Sequence, residues 1–243
     1  MAFEKRVGHM ATSVVAATIA IAVGSRYVAA IDSREKMRQE AAAQSEKAAK
    51  AFDAIMQVPD KAIPRDLLAR ARAIAVFPEV LKVAFGVGGE GGRGAVSRRV
   101  GDRWGVPVFL RAGGGSFGAQ IGVSSTDVFV LLMNDESVNS LMKDRFGLGG
   151  DAGVAAGPIG RNAGAATDAL MHAAMLSYSR SRGVFAGVAL KGVVIKPEDD
   201  LNLAVYNKTA EELLKESGAT DGASGLKAFP DALNRYSIQS SNR

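Results

Sequence analysis

The sequence predicts an α+β domain: a curved, glycine-rich, mainly antiparallel β-sheet approaching a barrel, with an N-terminal helix, one inserted helix and a C-terminal helical tail. Three observations predict it. Near residue 73 the apolar period changes from helical three- and four-residue steps to short runs rich in Val, Ile and Phe. Those runs follow one another too closely for helical crossovers, which points to antiparallel pairing. Finally, 23 of the 28 glycines fall between Gly86 and Gly192, where they permit bulges and close backbone approach in a bent sheet.

The elements follow in order. Lys5 and Arg6 precede a charge-free stretch from Val7 to Ser25, and Val28-Ala29-Ala30 comes after Arg26. Residues 1–30 therefore read as a secretory signal peptide cleaved after Ala30; retained, the segment would be a marginal signal anchor. In either case the remainder is expected to be exported, to a periplasmic or membrane-associated location. The domain is expected over 31–197, with a helix at 32–58 and the sheet at 73–195, followed by an acidic, loosely held tail at 198–243. The first helix lacks proline and glycine, is rich in Ala, Glu, Lys and Gln, and stops at Pro59. A second, short helix opens at Pro64 and turns Leu67, Leu68 and Ala71 inward.

Separate strands are expected at 73–77, 83–87, 94–100, 106–110, 117–123 and 127–133. Asn134 caps the inserted helix, expected to reach about Arg145 with Val138, Leu141 and Met142 on one side. A hairpin of 171–179 and 184–195 turns around Arg180-Ser-Arg-Gly183. Beyond Pro197 the clearest helix is Thr209 to Glu216.

Composition excludes several chemistries. The chain has no cysteine and only two histidines, His9 and His172, so thiolate metal sites, cysteine nucleophiles and histidine-rich metal centres are not expected. No cofactor is expected either. Gly86-Val-Gly88-Gly-Glu-Gly91 and Gly113-Gly-Gly115-Ser-Phe-Gly118 match GxGxxG, but that fingerprint requires the last glycine to open a helix, and strand-like sequence follows both. Gly114-Gly-Ser116-Phe-Gly118 fits a nucleophile elbow, with Asp168 and His172 in hydrolase order, yet it too is followed by a strand. A serine hydrolase is thus the third-ranked reading.

Charge is concentrated. Residues 61–197 hold 17 cationic against 10 anionic side chains, and 198–243 hold 5 against 8. A domain with that surplus favours anionic partners.

The ordered series Ala71-Arg-Ala-Ile-Ala-Val-Phe-Pro78, Ala84-Phe-Gly-Val-Gly88, Trp104-Gly-Val-Pro107, Gly113-Gly-Gly-Ser-Phe-Gly-Ala-Gln-Ile-Gly122, Thr126-Asp-Val-Phe-Val-Leu-Leu-Met-Asn134, Leu148-Gly-Gly-Asp-Ala-Gly153 and Tyr178-Ser-Arg-Ser-Arg-Gly183 resembles the SYLF domain family, over roughly Gln44 to Lys196. The resemblance implies non-enzymatic binding of membrane phospholipids, phosphoinositides especially, through an amphipathic helix ahead of the sheet and basic residues; in eukaryotic members it also implies actin assembly. The helix role carries over onto Lys47, Lys50, Phe52 and Ile55. Residues 31–60 have five cations against six anions, whereas interfacial helices are usually cation-rich.

Arg93, Arg98, Arg99, Arg103 and Arg111 are further candidates, as headgroup ligands or as a solvated rim. Strand parity places Arg93 and Arg99 together and Arg98 opposite. Arg161 lies in the glycine-rich stretch 147–164, as a ligand contact or as a partner of Asp151 or Asp168. The expected partner is an anionic phospholipid or membrane surface. A protein-binding envelope scaffold is the alternative, actin enters only if a eukaryotic-type role applies, and nucleic acid is not expected.

Overall fold

The computed structural model describes residues 31–58, 62–142, 146–148, 154–158, 173–183, 193–215 and 224–237. Residues 1–30, where a signal peptide or signal anchor is expected, lie outside these residues. The chain divides into two compact units, Met1–Glu40 and Ala41–Arg243. In the first, residues 31–40 are helical.

The second unit opens with helix α1 (41–56). Ala41, Ser45, Ala48, Phe52 and Ile55 recur at three- and four-residue steps and are all buried, so one stripe of the helix is core. Two polar residues fix its position: Gln44 Nε2 donates to the Gly94 carbonyl at 2.6 Å, and Ser45 Oγ donates to the Leu226 carbonyl at 2.8 Å. Helix α2 (Arg65–Arg70) follows Pro64 and buries Leu67 and Leu68, as its sequence predicts.

The six expected strands β-pair as two. β1 (Ala73–Val100) and β3 (Val108–Leu132) run antiparallel from Ala73↔Leu132 to Val96↔Val108, joined through the two-residue β2 (Arg103–Trp104). Glycine signals a break in sequence because it has little strand propensity. Here Gly88 to Gly94 lie opposite Leu110 to Ser116, and cross-strand backbone bonds carry the ladder where side chains do not. Register shifts occur at Phe77/Val80 and Phe85/Val87. At the first, Glu79 has φ 51°. Its N–H donates to Asp127 Oδ1 at 2.9 Å, and Arg180 donates twice to Asp127 Oδ2, at 3.0 and 2.7 Å.

The ribbon doubles back on itself. A Cβ on Gly92 would lie 3.0 Å from Val80 Cγ2, and one on Gly94 would lie 2.3 Å from Phe77 Cδ1 and 2.6 Å from the Val76 carbonyl oxygen. Only glycine allows residues 92–94 to approach residues 76–80 this closely.

On the other edge of β3, β6 (Met175–Gly183) pairs from Leu132↔Met175 to Ser124↔Gly183, and β7 (Val193–Pro197) pairs from Gly113↔Val194 to Leu110↔Pro197. Both keep one and the same register against β3. The expected turn at residues 180–183 is therefore corrected: these residues lie inside β6 or at its end, and among the described residues β6 and β7 each pair with β3, not with one another; residues 171–172 and 184–192 of the expected hairpin lie outside the described residues. β4 (Phe146–Leu148) adds to β7 antiparallel, and β5 (Val154–Ala156) adds to β6 in parallel. The sheet is curled, mixed and mostly antiparallel, in line with the expected α+β class.

Asn134 caps α3 (Asp135–Leu141), accepting from the Ser137 N–H at 2.8 Å. The helix is shorter than expected, and residues 143–145 lie outside the described set.

After β7 come α4 (Asp199–Tyr206), α5 (Ala210–Lys215) and α6 (Ala228–Ser237). They correct the expectation of a loosely held tail. Leu201, Leu213, Leu214, Phe229 and Leu233 are buried, while Asp200, Glu211, Glu212 and Asp231 face outward, so the acidity belongs to the solvent side of short amphipathic helices. Asn202 bonds both the N–H and the carbonyl of Phe109, at 2.9 and 3.1 Å. Phe52 and Tyr236 meet edge to face at 5.8 Å.

One core cluster joins Ala75, Phe77, Leu110, Val128 and Val130 with Val138, Leu141, Leu213 and Leu214. The alternate residues Ile74, Val76, Phe129 and Leu131 are equally buried, so this part of the sheet is covered on both faces.

Candidate functional site

Three cations stand abreast on neighbouring strands. Arg93 on β1 lies opposite Arg111 on β3, and Arg111 lies opposite Lys196 on β7. Residues directly opposite one another share a face of the sheet, so the three side chains form one row across it, at strand spacings of about 4.8 Å.

A single carboxylate sits among them. Glu198 follows β7 and precedes α4, and its side chain is only 3% exposed. Its N–H donates to the Phe109 carbonyl at 3.0 Å, and its own carbonyl accepts from Leu201 and Asn202 at 3.0 Å each, so its backbone is held by both β3 and α4. The carboxylate takes Arg93 Nε at 3.1 and 3.2 Å, Arg93 Nη2, and Arg111 Nη2 at 2.8 Å. Burial pushes this carboxyl up, and the hydrogen bonds from Arg93 and Arg111 outweigh that effect, holding it below the usual carboxylate range.

Arg111 is 60% exposed and keeps Nε and Nη1 for another acceptor. Lys196 is exposed and has no ion-pair partner among the described residues. Beside them opens a pocket of about 470 Å³ lined by Arg111, Ala112, Gly113, Val194 and Lys196. Three cations against one acid leave a surplus of two positive charges, most of it facing solvent. Chemically the arrangement can bind anionic oxygens.

The residues singled out from the sequence are spread over different environments. Lys47 and Lys50 are exposed on α1; Lys47 lies 3.7 Å from the Glu79 carboxylate and Lys50 lies 3.5 Å from Glu46. Phe52 and Ile55, from the same segment, are buried, facing the core and not solvent. Arg98 bonds Asp135 at 3.0 Å and donates to the Leu214 carbonyl, tying β1 to α3 and α5. Arg99 donates to the Ala71 and Leu68 carbonyls at 3.1 and 2.7 Å and lies 4.3 Å over the Trp104 ring. Its burial lowers its pKa. Arg98 and Arg99 thus fasten helices to the end of β1. Trp104 is a core aromatic whose indole N–H donates to Ser237 Oγ at 3.1 Å. Arg161, Asp151, Asp168 and His172 lie outside the described residues.

Of the residues carried into the site from sequence, the row brings together Arg93 and Arg111. Lys196 and Glu198 were missed, since their place depends on the register of a strand 85 residues further along the chain from Arg111. The lone cue is Lys196-Pro197-Glu198 at a strand end.

Neither glycine motif opens a helix: Gly91 lies inside β1, and Ser116 and Gly118 lie inside β3. Among the described residues, no group of three His, Cys, Asp or Glu could hold a metal ion, and no helix is long and apolar enough to cross a membrane.

Comparison with known proteins finds relatives along much of the chain. LAS seventeen-binding protein 3 of Saccharomyces cerevisiae is 36% identical over 163 residues, covering 64% of this chain and 35% of that protein. SH3 domain-containing YSC84-like protein 1 of Homo sapiens is 35% identical over 150 residues, covering 61% of this chain and 44% of that protein. The chain thus spans less than half the length of these curated relatives. A family model described as Ysc84, Las17-binding protein actin regulator, matches residues 113–236, from the glycine-rich middle of β3 through β7 and Glu198 to the end of α6. Because that match takes in half of the sequence, with Lys196, Glu198 and the C-terminal helices inside it, the chain belongs to the Ysc84 (SYLF) family.

Proposed function

We propose that this protein binds anionic phospholipid surfaces peripherally and performs no chemistry on them. The observation that carries the proposal is the row Arg93, Arg111 and Lys196 on one exposed face of the sheet. Its net charge of two suits phosphate oxygens, and guanidinium groups accept them in a planar, two-point geometry. Lys47 and Lys50 are exposed on α1, each beside a carboxylate, and add no net charge. Phe52 and Ile55 support the fold, so contact with the surface is electrostatic in character. Export directed by residues 1–30 is part of the proposal.

Vesicle co-sedimentation of the full chain tests it. Recovery with phosphatidylserine-containing vesicles should exceed recovery with phosphatidylcholine alone, and should fall between about 0.05 M and about 0.5 M salt as screening shortens. Lys196→Gln should weaken binding without changing the melting temperature. Equal recovery on neutral vesicles would refute the electrostatic mechanism.

The description of the family as Las17-binding supports a second reading, in which the domain receives a protein partner, actin or an actin regulator included. A partner retained by the chain in high salt and unaffected by Lys196→Gln would favour it.

A further inference from the structure

The basic row already holds an anion of its own. Glu198 makes with Arg93 the two-point contact that a ligand oxygen pair would make, and it takes Arg111 Nη2 as well. Its carboxylate cannot swing clear as a surface side chain can: the group is buried, its N–H is bonded to Phe109 and its carbonyl starts α4. Lys196, two residues earlier and on the same side of β7, is exposed and takes no part in this cluster. The charges therefore divide into a pre-neutralised part, Arg93 with Glu198, and an available part, Lys196 with the free edge of Arg111.

We propose that Glu198 is an internal competitor that sets the affinity of the row for anionic surfaces, keeping it below what three cations would give. This rests on the function proposed above and names its regulating residue. An incoming phosphate at the exposed edge of Arg111 stands close to the fixed carboxylate and is repelled by it, while sharing a guanidinium already engaged. Affinity is thereby held in a range where binding is reversible and salt-sensitive. The carboxylate also keeps Arg93 and Arg111 from repelling each other, so besides repelling the ligand it is a positioning residue for the arginines.

The test is Glu198→Gln in the full chain, which keeps shape and one acceptor oxygen but removes the charge. Partition onto phosphatidylserine-containing vesicles at low salt should rise about tenfold, the scale expected for removing a unit charge about 4 Å from the ligand at a dielectric close to that of bulk water, and the gain should shrink as salt rises. Glu198→Asp, which retains the charge, should stay within about twofold of the parent. A Glu198→Gln protein with an unchanged melting temperature and equal or weaker binding would overturn the proposal, as would an equal gain in Glu198→Asp.

A second comparison does not depend on Glu198→Gln folding. Arg93→Gln and Lys196→Gln each remove one cation, but loss of Arg93 turns Glu198 wholly onto Arg111, so Arg93→Gln should bind less than Lys196→Gln; equal losses would overturn the inference. If the parent binds anionic vesicles and Glu198→Gln does not gain, only this inference fails. If neither protein binds, the functional proposal fails with it. Binding by Glu198→Gln alone would support the competitor role in its strongest form.

Discussion

Gly94→Ala is the sharpest probe of the doubled-back ribbon. The added methyl would lie 2.3 and 2.8 Å from Phe77 Cδ1 and Cε1, and 2.6 Å from the Val76 carbonyl oxygen. Ordinary contact needs about 3.5 Å or more, so about an ångström must be found from two directions. Phe77 is buried, and the carbonyl belongs to the paired backbone of β1, so neither gives way cheaply. The Gly94 carbonyl also accepts from Gln44, and any backbone shift strains that bond. Overpacking of this kind costs about 1–3 kcal/mol, and a weakened hydrogen bond adds about 1 kcal/mol. Alanine restricts the unfolded chain and returns about 0.4–1 kcal/mol. The net loss should be about 1–3.6 kcal/mol, or a melting temperature lower by about 2–14 °C for a domain of this size. Gly115→Ala is the control, because a Cβ there meets nothing within 4 Å; its stability should equal the parent's or exceed it by up to about 1 kcal/mol. Urea unfolding of both variants decides the matter. Equal midpoints would refute the claim that the ribbon closes on itself at Gly94.

Three more perturbations follow from the packing. Phe52→Ala should cost about 3–5 kcal/mol in urea unfolding, since the ring is fully buried against Tyr236, while vesicle binding by the folded protein should stay unchanged. Asp127→Asn should cost about 3–5 kcal/mol by leaving the half-buried Arg180 without its counter-charge at the bulge that holds Glu79, measured the same way. Burial raises the Glu90 carboxyl, with Lys82 opposing; a raised folded-state pKa contributes stability that is present below about pH 4.3 and is lost as pH rises through the folded value. Glu90→Gln should therefore raise the urea midpoint at pH 7, and the gain should vanish near about pH 4.

Much of the fold was legible because period and punctuation reported local preference faithfully. The buried stripe of α1, the inward face of α2 and the Asn134 cap were all readable from residues a few positions apart. What failed was non-local. Glycine between Gly86 and Gly94 looked like a set of turns, yet it is strand, because cross-strand hydrogen bonding needs no side chain. Arg180 to Gly183 had the composition of a turn, but its register is dictated by Thr126 and Asp127 of β3. The basic row is a further case: Arg93 and Arg111 were visible as isolated charges, whereas their alignment with Lys196 and their neutralisation by Glu198 exist only once three strands are in register. The apolar side of α1 showed in the sequence as amphipathic, and amphipathicity alone does not say whether a core or an interface will cover it.

A stretch as rich in glycine as residues 86–94 would ordinarily be judged a forgiving place to lengthen or shorten a chain. Here the opposite holds. Since the ribbon departs from Val76 and Val80 and must arrive back against them at Gly92 and Gly94, its contour is closed, and a single inserted residue has nowhere to go. It would slide Gly94 out of the one slot that admits it and deliver Arg93 to the opposite side of the sheet, away from Glu198. Tolerance to insertion should therefore be sought in the turn at Gly101 and Asp102, outside the loop, and not in the segment whose composition advertises it.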